Sequence, residues 1–470
     1  MTSKITLFLF MILISCLGTA QAPGNPTVSE GPPVDQDRKA CITPQQRREM
    51  IQNIQSSIEE LKRDNKLSFS EQRRGNHPLF IWPVQKASNV NFNEIFSIYN
   101  YVDHNTGFPN QLTDYNCGTR TYDTNAGYNH EGTDIVTWPF PWKMLDDDGV
   151  EIIAAAPGQI IVKHDGEFDR SCTFSNPDPW NLIIVQHSDG SVAAYGHMKN
   201  GSTTTKNVGD MVSAGEYLGI VGSSGISTIP HLHFEVLTDA TFTTIVDPFF
   251  GTCNSTTADS WWQSQSPYAD PGINAVLTHS AAPVVFPPCG TAETPNISND
   301  FETEDEIFFT VFLRDQTVGD NISLEILRPD NSSLFGPWSL NATTTSPNWY
   351  YYWNYTGFFD MVGEWTWRAT FGGETINHTF NVTSVLSIDD KDFKNTSVFP
   401  NPFNDTIHIS SGKKVVKTEI VDVLGKSVLS IEDIANGLNK VDVSNLSEGL
   451  YFIRLQSNSN EIKTIRMIKE

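Results

Sequence analysis

Acidic side chains outnumber basic ones 55 to 31 in this chain of 470 residues, leaving a formal net charge of -24 at pH 7. An acidic excess of that size disfavours a nucleic-acid backbone or an anionic lipid surface as partner. The length exceeds one ordinary domain and suits about three.

Residues 1–20 read as a secretory signal peptide. Lys4 gives a positive start, residues 5–17 form one apolar run, and Gly18-Thr19-Ala20 offers the small residues a signal peptidase accepts. The run is short for a bilayer span, and no later segment is long and apolar enough for one. Leu13-Ile14-Ser15-Cys16 loosely resembles a lipoprotein box, but cleavage after Ala20 fits better and would remove Cys16. Five cysteines then remain, none in a Cys-x-x-Cys pair, which argues against a thiolate zinc knot. Export favours disulfides. The expected pairs are Cys117 with Cys172 and Cys253 with Cys289, leaving Cys41 over.

Residues 21–76 form a leader. Its first part, to residue 40, is rich in Pro, Gly and Asp and reads as unstructured. Residues 43–66 then predict one amphipathic helix, with Pro44 near its start and Met50, Ile51, Ile54, Ile58 and Leu61 at helical spacing. This helix is either a packing arm or a pro-segment. Residues 77–250 are β-like, with short apolar runs at 151–154, 159–162 and 181–185 between Gly, Asp, Asn and Pro. Residues 251–298, rich in Ser, Thr and Pro, read as a linker pinned by Cys253 and Cys289. Residues 299–385 carry alternating strands and predict a β-sandwich. Its aromatic run 348–355 fits core packing better than stacking on sugar rings. The last segment, 386–470, has strands of its own. The fold class is therefore mainly β: a β-sheet catalytic domain, a β-sandwich module and a small C-terminal β-sandwich.

Three groups in the first β region carry chemistry: His130-Glu131-Gly132-Thr133-Asp134, Tyr195-Gly196-His197-Met198, and His231-Leu232-His233-Phe234-Glu235-Val236. On a strand, His231 and His233 point to the same face. His130 and Asp134, four apart around Gly132, can wrap one ion, and one histidine of the later pair completes three protein ligands. A fourth place would stay open, which is the layout of a catalytic rather than a structural zinc site. Zinc there lowers the pKa of water from 15.7 to about 7. The histidines left over can move protons or stabilise an oxyanion. His77, His104, His164, His187, His279, His378 and His408 have no partner at ligand spacing and read as surface or turn residues.

These groups, together with Ala156-Pro157-Gly158-Gln159-Ile160, Val208-Gly209-Asp210, Gly219-Ile220-Val221-Gly222 and Pro230, resemble the M23 family of lysostaphin-type zinc endopeptidases in order and spacing. The resemblance implies one Zn2+ held by His130, Asp134 and His233, with His197 and His231 as catalytic imidazoles. It gives no base role to Glu131 or Glu235. The loops 138–148 and 169–180 are longer than the family minimum and are expected to border the cleft, although their aromatics suit loop packing equally well.

The C-terminal segment resembles the sorting domain of proteins exported by the type IX secretion system. The carrying motifs are Val398-Phe399-Pro400-Asn401-Pro402-Phe403, residues 420–426, Leu446-Ser447-Glu448-Gly449-Leu450-Tyr451 and the basic-containing end 463–469. It implies a partner in that secretion machinery and a place outside the cell or on the outer-membrane surface. The expected function is a secreted zinc endopeptidase acting on peptidoglycan cross-links. The alternatives are a non-catalytic cell-wall binding protein of the same fold, or a peptidase of extracellular proteins.

Overall fold

Leu232, Phe234 and Val236 alternate with His231, His233 and Glu235 along one buried strand, so a single sheet has an apolar face and a polar, histidine-bearing face. In a computed structural model, described for residues 25–31, 39–69, 75–176, 178–241, 244–384, 393, 396–458 and 461–470, this strand (His231–Leu237) lies within an eight-stranded antiparallel sheet. Its neighbours are Thr133–Thr137 on one side and Val192–Gly196 on the other. Phe96–Asn100 closes one edge; Leu182–Gln186, Gly158–His164 and Met211–Val212 continue towards the other. The apolar face packs Ile160, Ile183, Val185, Tyr195, Leu232 and Phe234 into one core, shared with a three-stranded sheet of Val84–Lys86, Val150–Ile153 and Tyr217–Ile220.

The predicted helix spans Pro44–Arg63. Thr43 caps it in a capping box with Gln46, and Pro44 occupies the first turn, where a missing N–H costs nothing. Its apolar stripe of Met50, Ile54, Ile58 and Leu61 packs on Ile161, Leu182, Ile184, Val192, Ala194 and Leu237. Those are the side chains of the opposite, histidine-bearing face. At about 2 kcal/mol per fully buried aliphatic side chain, this contact holds the helix firmly.

Several expectations are corrected. Residues 251–298 are no linker. Trp261 and Trp262 lie in the core beside Phe80, Phe234 and Phe249, and Gly272–His279 is a fully buried strand paired with Glu306–Gln316. Its alternation was hidden because both of its faces are covered. That strand belongs to a four-stranded sheet with Ser346–Thr356 and Val28–Glu30. Part of the leader read as unstructured is therefore an edge strand. A five-stranded sheet of Asp300–Glu302, Asn321–Leu327, Ser333–Asn341, Gly363–Phe371 and Glu374–Thr383 faces it across a core of Trp353, Trp365 and Trp367. The aromatic run is core on one face, as expected, and Tyr350 joins a second cluster. There Trp138 and Phe140 pack against Ala275, Leu277 and Phe312. The 138–148 loop thus buries its first aromatics against the sandwich, in keeping with the loop-packing reading of those residues. The cysteines pair Cys117–Cys253 and Cys172–Cys289, with Cys41 free and buried. The expected partners were sequence neighbours, but these bridges join loops brought together by the fold.

The chain divides into two compact units, Met1–Ser384 and Val385–Glu470. The second is a small sandwich of a three-stranded sheet (Ser397–Phe399, Thr406–Ser411, Gly437–Asp442) and a four-stranded one (Val415–Asp422, Ser427–Ile434, Gly449–Ser457, Ile462–Lys469). Its core holds Ile407, Ile409, Ile420, Ile453, Leu455 and Met467. The signal-peptide reading falls outside the described residues. Among the described residues no helix is long and apolar enough to cross a membrane.

Candidate active site

Strand pairing sets His233 opposite Asp134 on one side and opposite Gly196 on the other, next to His197. His130 precedes the Asp134 strand by one turn. Its Nδ1 donates to the Tyr101 carbonyl at 2.8 Å, which fixes the tautomer and leaves the Nε2 lone pair pointing inward. That Nε2 is buried, has no hydrogen-bond partner and lies 3.1 Å from Asp134 Oδ2. His233 Nδ1 lies 2.9 Å from Asp134 Oδ1, and its Nε2 faces Glu235 at 3.7 Å. Asn100 Nδ2 donates to Asp134 Oδ2 at 2.8 Å and orients the carboxylate.

His130, Asp134 and His233 therefore converge as two imidazole nitrogens and one carboxylate, and the orphaned Nε2 of His130 needs a partner of positive charge. This donor set fits a divalent cation of the zinc class. Burial opposes ionisation of Asp134, yet the imidazoles of His130 and His231, with His233 bonded to it, hold its carboxyl well below the usual range. Burial also opposes charge on His233, but Cys41, Asp134 and Glu235 outweigh it and retain the proton. A cation at Nδ1 would take that proton's place.

The other two histidines are built differently. His197 Nδ1 donates to the Ser224 carbonyl at 2.6 Å, and His231 Nδ1 to the Ile229 carbonyl at 2.8 Å. Both rings thus present Nε2 to the site, with centroids 4.4 Å apart. Burial, then the neighbouring His231 and His233, push His197 well below its ordinary value. Burial also lowers His231, although Asp134 opposes it. Both are neutral proton acceptors at pH 7. His197 sits at φ 60°, an uncommon backbone for a side-chain-bearing residue. Bonds from Met198 N to Asn181 O (3.0 Å) and from Gly222 N to His197 O (3.0 Å) hold it there.

Sequence reasoning missed four further residues. Trp180 packs edge-on to His197 with centroids 4.7 Å apart and lies over Gly196, where a Cβ would stand 2.7 Å from its ring. Arg47 of the helix pairs with Glu235 at 2.6 Å and with Glu131. Glu235 is fully buried and the guanidinium holds its carboxyl low against the opposing effect of burial, so neither glutamate is free to act as a base. Cys41 and Tyr128 complete the wall, Sγ to OH 2.8 Å. The odd cysteine count was the one visible signal for Cys41. Of the histidines read as surface or turn residues, His187 and His279 are instead buried and hydrogen-bonded, and the half-buried His104 bonds to Asp247 at 2.9 Å.

Comparison with known proteins follows these lines. Residues 129–247 match the model of peptidase family M23, and residues 397–470 match that of the secretion system C-terminal sorting domain. The cell division protein DipM of Caulobacter vibrioides is 37% identical over 90 residues, 19% of this chain and 14% of that protein. The DD-carboxypeptidase/endopeptidase Mpg of Neisseria meningitidis serogroup B is 40% identical over 55 residues, 12% of each chain. An uncharacterized metalloprotease of Buchnera aphidicola is 38% identical over 56 residues, 12% of this chain and 14% of that protein. The matched stretches span only a small part of these relatives. Fold and site define a mainly β protein with a metallopeptidase-type centre. The chain carries a peptidase family M23 domain and a C-terminal sorting domain, which directs it through type IX secretion to the cell surface or outside.

Proposed function

We propose that the protein is an exported zinc endopeptidase that hydrolyses peptide bonds in bacterial cell-wall cross-links. The observation that carries this reading is the convergence of three buried donor side chains with two neutral imidazoles whose Nδ1 atoms are tied to backbone carbonyls, leaving His197 Nε2 without a partner and His231 Nε2 3.5 Å from Asp134 Oδ1. His130 Nε2, an Asp134 oxygen and His233 Nδ1 would hold one Zn2+. Bound there, zinc supplies a Lewis acid that activates water near neutral pH and polarises the scissile carbonyl. His231 and His197 accept the water proton at Nε2 and return it to the leaving amine, and the protonated ring stabilises the developing oxyanion. Glu235 orients His233 from its far side, and Asn100 and Tyr101 orient Asp134 and His130. The DD-carboxypeptidase/endopeptidase named among the relatives supports a bond between D-amino acids as the target.

The test is digestion of purified peptidoglycan, with products identified by mass spectrometry and a chelator control. We expect chelator-sensitive release of peptide fragments. His197→Ala should keep one zinc per chain yet lose turnover by at least about a hundredfold, whereas His130→Ala should lose the metal. Equal zinc loss in both variants would refute the division of roles. Binding to the wall without bond cleavage would instead identify a cell-wall binding protein, and cleavage of extracellular proteins alone would move the substrate.

A further inference from the structure

The proposed enzyme must admit a peptide, yet none of its five site residues is more than 8% exposed. Trp180 covers His197 and Tyr122 stacks on His130, and the rest of the cover over His130 and His233 comes from the segment before the catalytic domain. Helix Pro44–Arg63 lies on the same sheet face as His231 and His233, with Ile54 and Ile58 against Leu182, Ile184 and Ala194. Arg47 fastens it to Glu235, two residues beyond His233, and to Glu131, the residue after His130. Just ahead of the helix cap, the unpaired Cys41 is buried, and its sulfur lies with ligand nitrogens of His130 and His233 in a group whose members are all within 4.8 Å of one another. Independently of the cysteine, His130 Nε2 is buried there without a hydrogen-bond partner.

Resting on the metal-site reading above, we propose that Cys41 is a fourth ligand of the metal and that residues 39–69 are an inhibitory strap. The thiolate takes the coordination place that His130, Asp134 and His233 leave open, and the helix occupies the face on which a peptide would lie. Coordination releases the thiol proton to solvent, and opening of the strap returns one proton to the sulfur, with no change of oxidation state. Thiolate and imidazole together favour a borderline-soft cation such as zinc or cobalt. The geometry also gives the Thr43 cap a use. It fixes where the helix begins, and hence where Cys41 is held.

The test loads the full chain, stripped of metal, with one equivalent of Co2+. The wild type should show the intense near-ultraviolet thiolate-to-cobalt absorption, and Cys41→Ser should lose it while still binding cobalt one to one. Cys41→Ser should also raise kcat/KM on peptidoglycan by about tenfold or more, because the competent fraction is no longer held closed. Cobalt bound with no thiolate band in the wild type, or with the same spectrum in both proteins, overturns the proposal. Unchanged activity in a Cys41→Ser variant that lacks the band overturns the inhibitory role. If that variant does not fold, the wild-type spectrum alone decides the ligand. Failure of the wild type to bind cobalt, or retention of cobalt by His130→Ala, would instead overturn the metal-site reading and the proposal with it.

Discussion

Gly132 sits between the two donors of the His130/Asp134 turn, and a Cβ there would stand 2.6 Å from His233 Nε2 and 3.0 Å from the Phe234 carbonyl. The backbone of that turn can pass His233 only because the side chain is missing. Gly132→Ala should therefore tilt the His233 ring away from Glu235 and Asp134 and weaken metal binding by about ten- to a hundredfold, the usual effect of disturbing a ligand's support. Competition titration against a chelator measures this, and unchanged affinity would show that the ring has room to move. Arg47 works at the same scale. Its partner Glu235 is fully buried, and an unpaired buried carboxylate costs about 3–5 kcal/mol. The strap and the His233 support are thus coupled through one ion pair.

Among the elements, strand Gly272–His279 differs most from its expected role. His279 is fully buried on it, with Nδ1 donating to the Pro295 carbonyl at 2.6 Å and Nε2 accepting from the Thr310 hydroxyl at 2.8 Å. Burial, aided by the neighbouring His378, lowers its imidazole to about 4. The unfolded chain binds this proton near pH 6.5. The folded state therefore resists protonation, and the stability linked to His279 is complete above pH 6.5 and is lost as pH falls towards 4. The loss approaches about 3 kcal/mol. Urea unfolding at pH 7 and at pH 4.5 should show it in the wild type, and His279→Gln should reduce the difference. An equal pH effect in the variant would assign the loss to other groups.

For the whole molecule, the decisive fact is that, among the described residues, the hydrophobic clusters of the first unit contain none beyond Val382, whereas that of the second starts at Phe393. Each unit therefore has a hydrophobic core of its own. A chain ending at Ser384 should keep the thermal midpoint of the first unit within about 2 °C and retain its metal stoichiometry. A larger fall, followed by calorimetry, would mean that the sorting domain supports the catalytic one. Both disulfides of the described residues lie within the first unit, and Cys172–Cys289 ties the 169–180 loop beside the site to the loop between the sandwich strands Gly272–His279 and Asp300–Glu302.

Local chemistry was legible in the chain. His130, Asp134, His197, His231 and His233 stand in recognisable motifs, with His231 and His233 two apart on one strand face, and the helix of residues 43–66 declared itself by Pro44 near its start and by its apolar period. Short apolar runs between turn residues likewise marked the first β region, and alternating strands marked the sandwich of residues 299–385. Only the tertiary structure could decide what covers what. Cys41 lies 89 residues before His130 in no motif, the cysteine pairs join loops more than 100 residues apart, and Gly272–His279 loses its alternation because both faces are buried. Short-range sequence carries side-chain chemistry and period. Closure of a site depends on which distant surfaces bury each other, and that is set by summed packing across the whole chain.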